Sequence, residues 1–159
     1  MIVQHFLVPI DFSAYADQAL EYAIALAQKL QACLTLLHVI QPLPIPGADM
    51  GVALPYAYFE ELETELRQAL EEKLQRVHQA GLEGDYVLVH GIPFQVIIDT
   101  ATAQHTDLII MGTHGRTGLS HVLMGSVAER VVRLGPCPVL VTRAPAKTSE
   151  SEAGEQVPS

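Results

Sequence analysis

Five short apolar runs alternate with longer amphipathic stretches along this chain, and that alternation leaves few folds open. The runs are His5 to Ile10, Cys33 to Ile40, Asp85 to His90, Asp107 to Met111 and Pro138 to Thr142. They read as short strands, and those without polar alternation suit a sheet covered on both faces. Between them apolar residues recur at helical spacing. Leu20, Ala23, Ile24, Ala27 and Leu30 share one face of a first helix, capped by Ser13. Ala16, Ala19 and Ala23 would let that helix sit close to a sheet. Tyr56 to Ala80 is a long second helix, its expected inner stripe being Phe59, Leu62, Leu66, Leu70, Leu74 and Val77. Its glutamates, Glu60, Glu61, Glu63, Glu65, Glu71 and Glu72, lie mostly on the other side and read as a solvated face. Pro93 opens a third helix that runs to about Gln104, and Val127 to Leu134 is a fourth, ended by Gly135 and Pro136. The order βαβαβαβαβ predicts an α/β fold, an open five-stranded parallel sheet with helices on both faces. Right-handed crossovers favour the strand order 3-2-1-4-5. Ligands of such sheets bind at the carboxyl ends of the strands where the order reverses, here between strands one and four.

The stretch from Gly112 to Ser126, GTHGRTGLSHVLMGS, leaves the end of strand four at that reversal. A strand that runs into a glycine-rich loop and then a helix suits an anion. Glycine lets a ligand approach the backbone, and unpaired N–H groups at the helix start attract phosphate oxygens. Asp11 stands across the reversal, at the end of strand one. Fold logic and the glycine loop therefore point to one crevice.

Composition narrows the partners. The chain has 159 residues, 49% of them apolar, which fits one globular domain. Its formal charge of −9 argues against nucleic acids and anionic membranes. No secretory segment or run near the length of a spanning helix is visible, so a cytoplasmic location is expected. Cys33 and Cys137 begin strands that the proposed order sets about 14 Å apart at ~4.7 Å per strand, beyond the ~7 Å reach of a disulfide. Two buried thiols are expected. His5, His38, His78, His90 and His105 show no metal-ligand spacing and read as structural. Gln41 to Pro55, with its four prolines, reads as a long loop. From Ala144 to Ser159 small, polar and charged residues predict a disordered tail after a domain of residues 1–143.

The glycine spacing, Gly112-x-x-Gly115, nine residues, then Gly125-Ser126, resembles the nucleotide-binding signature of the universal stress protein family, in its ATP-binding branch. Val8-Pro9-Ile10-Asp11-Phe12-Ser13, Leu37-His38-Val39, Gly91-Ile92-Pro93 and Cys137-Pro138-Val139-Leu140-Val141 resemble further family segments, in order and at matching intervals. The resemblance implies a Rossmann-like fold of the adenine nucleotide alpha hydrolase type. It implies ATP across the crevice, with Mg2+ or Mn2+ able to bridge the phosphates, and a homodimer through Pro138 to Thr142. Carried over by position, Pro9 and Asp11 would line the adenosine end, Val39 would contact adenine, and Gly112, Gly115, Gly125, Ser126 and Val127 would meet the phosphates. Thr113, His114, Arg116, Thr117 and Gly118 of the same loop are counted with the binding residues, Thr117 and Gly118 with the alternative of only shaping it.

Each assignment has a plainer alternative: a turn aspartate for Asp11, a core residue for Val39, a tight turn and helix cap for the glycines and Ser126. Arg116 is either the fixed positive charge of the loop or an exposed arginine, and His114 and His121 are either donors to phosphate or ordinary loop residues. The loop lacks the Gly-Lys-Ser/Thr ending of a P-loop and carries no acid to position a water, so binding is expected rather than hydrolysis. The expected function is therefore a nucleotide-responsive regulatory or protective protein. The alternatives are a weak ATPase or adenylyl-transfer enzyme and a non-nucleotide interaction scaffold.

Overall fold

The computed structural model describes residues 3–42, 51, 55–114 and 124–143. Strands β1 (His5–Pro9), β2 (Cys33–Ile40), β3 (Gly84–His90), β4 (Leu108–Gly112) and β5 (Val139–Thr142) alternate with helices α1 (Ala14–Leu30), α2 (Tyr56–Gln79), α3 (Pro93–Ala103) and α4 (Ser126–Leu134). All pairings are parallel and the order is β3-β2-β1-β4-β5, as the alternation predicts. Boundaries move by a residue or two from expectation. Pro138, for example, precedes β5, and its carbonyl accepts from the Ile109 N–H at 3.0 Å.

Strand residues alternate between the two faces of the sheet. Phe6, Val8, Leu34, Leu36 and Ile110 pack on one side in a cluster with α1 and α2. Leu7, Leu37, Ile109 and Met111 pack on the other with α3 and α4. Ala16, Ala19, Ala23 and Ala27 are buried in α1, the small residues that let this helix lie close on the sheet. Ser13 caps α1, its Oγ accepting from the Ala16 N–H at 3.2 Å. Ion pairs Lys73–Asp17 and Arg76–Glu21 tie α2 to α1 across their exposed seam.

Two expectations are corrected. The inner stripe of α2 is only half used: Leu70 and Val77 are buried, Leu62 and Leu66 are half-buried, and Phe59 is 37% exposed. The cause is length. At ~1.5 Å per residue α2 spans about 36 Å, while β3 covers about 23 Å at ~3.3 Å per residue. The first turns of α2 therefore overrun the sheet. Leu30, at the far end of α1, is also exposed. The second correction concerns the thiols. Cys33 and Cys137 are free, as expected, but half-buried, because both stand at strand starts on the rim. Their partial burial still pushes both thiols above the ordinary range. Among the described residues, no helix is long and apolar enough to cross a membrane.

Candidate functional site at the carboxyl rim of the sheet

The register of β1 on β4 pairs Phe6 with Leu108 and Leu7 with Ile109 and goes no further, while β1 on β2 continues to Pro9. Beyond Leu7 the ladder between β1 and β4 stops, at the reversal of strand order where a crevice is expected. Asp11 follows the end of β1 there, and Gly112 to His114 end and follow β4.

The Asp11 side is tightly held. The Ile10 N–H donates to the Leu37 carbonyl at 2.8 Å, extending the β1–β2 ladder by one residue. His38 Nδ1 lies 2.6 Å from the Ile10 carbonyl, which can only accept, so Nδ1 carries the proton. Asp11 Oδ1 accepts from the Ser13 N–H at 2.9 Å and the Ser13 hydroxyl at 2.5 Å. Phe12 between them adopts φ +62°, a costly conformation for a bulky residue. Its ring is fixed 4.8 Å from the His38 ring and 5.7 Å from Lys73 Nζ. The aspartate thus does what a turn aspartate does and still keeps Oδ2 outside these bonds. Pro9 pairs with Leu37 in the ladder, and Val39, half-buried, packs into the α3 and α4 cluster.

The other side is closed by Thr113. Its N–H donates to the Thr142 carbonyl at 2.9 Å, and its carbonyl accepts from the Gly125 N–H at 2.6 Å. The entry and exit of the glycine-rich loop are thereby pinned together. The Thr113 side chain is buried, with its hydroxyl 3.1 Å from His114 Nδ1. The His114 ring leans on Tyr15 of α1, centroids 5.3 Å apart. Gly112 has a packing reason of its own: a Cβ there would lie 2.8 Å from Tyr15 Cβ and 2.9 Å from its carbonyl carbon and oxygen. Gly115, Arg116, Thr117, Gly118 and His121 lie outside the described residues, as does most of the proline-rich stretch.

Gly125 is the N-cap of α4 in extended conformation, and no side chain caps this helix. Ser126 and Val127 occupy its first two positions, where N–H groups have no intrahelical acceptor. The arrangement suits an anion at α4 and a neutral polar group at Asp11. Sequence reasoning missed the supports of this site. His38, Phe12 and Tyr15 act through ring contacts and a hydrogen bond to backbone; Phe12 and His38 stood only inside family-like segments, and Tyr15 had no signal beyond its place two residues after Ser13. Among the described residues, no group of three His, Cys, Asp or Glu side chains could hold a metal ion.

Residues 3–143 match the model of the universal stress protein family. The chain belongs to that family. Among relatives, universal stress proteins MJ0531 and MJ0577 of Methanocaldococcus jannaschii are 34% and 35% identical to it. The alignments cover 89% and 86% of this chain and 82% and 93% of those proteins. A solved structure of MJ0577 superposes with a TM-score of 0.79 at 31% identity, over 90% of this chain and 97% of that one. Two universal stress proteins of the same fold were solved with nucleotides. One is a cAMP complex (TM-score 0.68, 21% identity, covering 91% of this chain and 99% of that one). The other, from Archaeoglobus fulgidus, is a dAMP complex (TM-score 0.64, 22% identity, covering 89% and 98%).

Proposed function

We propose that this universal stress protein binds ATP across the β1–β4 crevice and works as a nucleotide-responsive homodimer rather than as a hydrolase. The observation that carries the reading is the crevice itself. A braced carboxylate at Asp11 follows β1 and an uncapped helix N-terminus, that of α4, follows β4, the two strands between which the central ladder stops. In this reading Asp11 Oδ2 accepts from a ribose hydroxyl or the adenine amino group. Pro9 and Val39 flank the adenosine. Gly112, Thr113, His114, Gly115, Arg116, Thr117, Gly118, Gly125, Ser126 and Val127 enclose the phosphates, most of them through backbone N–H groups. The cAMP and dAMP complexes of the same fold support an adenine nucleotide as the class. Mg2+ or Mn2+ would then be held by phosphate oxygens and water.

The dimer would form through β5. It is an edge strand of the sheet, Val139–Thr142, and an apolar edge invites pairing. A groove of about 340 Å³ lined by Gln18, Tyr22 and Leu140 to Arg143 runs beside it.

Calorimetry with ATP tests the binding. A dissociation constant in the micromolar range, weakened at least tenfold in both Asp11→Ala and Gly125→Val, is expected. An undetectable heat at millimolar ATP with the wild-type protein overturns the reading. Steady phosphate release abolished by Asp11→Ala would establish the enzyme instead. Sedimentation equilibrium tests the dimer, which Val141→Lys should split.

A further inference from the structure

The α3 and α4 layer presents two helix N-termini to the carboxyl rim, at Pro93 and at Ser126, and no side chain caps either. A cation reaches from α4 to α3. The Arg130 guanidinium lies 4.7 Å from the centroid of the Phe94 ring, so an arginine of α4 is parked on the first turn of α3. Among the described residues the ion pairs take up Arg67, Lys73, Arg76 and Arg133, and none engages Arg130. The side chain is exposed. Arg130 is also four residues after Ser126, so the two share one face of α4. Helical side chains lean toward the N-terminus, which carries the guanidinium up toward the first turn. A ring holds an arginine in place without neutralising it, and a planar guanidinium matches a phosphate bidentately.

We infer that Arg130 is a binding residue for the outer phosphates of the nucleotide, pre-positioned by Phe94, and that it makes the site prefer ATP to AMP. The inference rests on the reading of the crevice as a nucleotide site and adds what selects among phosphate states. A nucleotide whose α-phosphate sat at the first turn of α4 would have its outer phosphates within reach of the α3–α4 gap that Arg130 borders. The net charge of −9 gives that cation weight beside Arg116 of the loop, because an acidic molecule repels a tetra-anion.

The test is a set of titrations of ATP, ADP and AMP against the wild-type protein, Arg130→Gln, Arg130→Lys and Phe94→Leu, with the melting temperature of each nucleotide-free variant as a control. Arg130→Gln should weaken ATP roughly tenfold, the size of a hydrogen bond to a charged group, and leave AMP within twofold. Arg130→Lys should keep part of the preference. Phe94→Leu should lose part of it while Arg130 is intact, since the guanidinium is no longer held. An equal loss for ATP and AMP in Arg130→Gln, or none for either, overturns the inference. If the wild-type protein binds no adenine nucleotide, the nucleotide-site reading itself fails; if it binds ATP and Arg130→Gln does not discriminate, only the arginine assignment fails.

Discussion

Single residues at the rim carry constraints that the motif alone does not explain. Gly112 belongs to the glycine spacing, yet its missing Cβ is what α1 needs, since the nearest atoms include the Tyr15 carbonyl carbon and oxygen and cannot rotate away. Gly112→Ala is expected to lower the unfolding free energy by about 1–3 kcal/mol, the usual cost of overpacking, measured by urea titration of the nucleotide-free protein. A neutral result would mean that α1 shifts freely. At the opposite rim, Asp107 Oδ2 accepts from the Gln4 and His5 N–H groups at 2.9 and 3.0 Å. These backbone donors hold its carboxyl below the ordinary aspartate range. A depressed carboxylate stabilises the fold above the pKa it has when unfolded, and that stability is lost as pH falls through the folded value. Wild-type protein should therefore lose stability on acidification more steeply than Asp107→Asn, which should be the less stable of the two at neutral pH. Thermal melts across the acid range decide it, and parallel curves would remove Asp107 from the account.

Elements were more legible than their ends or their depth. The nine elements among the described residues all appear in the sequence, because each strand is short and apolar and each helix keeps its period. The Ser13 cap and the alanine face of α1 were readable as local chemistry. The α2 stripe was not, because helical periodicity says which residues share a face but not how far the neighbouring sheet extends. That difference is measurable. Leu70→Ala, at a fully buried site, should cost about 2–5 kcal/mol, whereas Leu62→Ala, on the overrunning turns, should cost under ~1 kcal/mol. Equal losses would show that something covers the first half of α2 in solution. The candidate site was half legible for the same reason. Asp11 and the glycine spacing stand out as letters, but the brace of His38 and Phe12 and the ring beneath Arg130 exist only once strands and helices are side by side.

Taken whole, the molecule is a sheet of unequal joints. Seven residue pairs join β2 to β3 and five join β1 to β2, but two join β1 to β4. A three-strand slab and a two-strand slab meet at that short seam, with α1 lying across as a splint against β4 and β5 as well as β1. Whatever spans the crevice has one end on each slab, so it would act as a clasp. Filling it should slow amide exchange at Ile109 and at residues of β5 far from any ligand atom, while β2 and β3, already firmly laced, should change little. Exchange rates compared with and without ATP measure this. Protection confined to the rim would mean that the seam is stiff by itself, and protection spreading through β5 would make occupancy of the crevice a mechanical signal delivered to the strand at the molecule's edge.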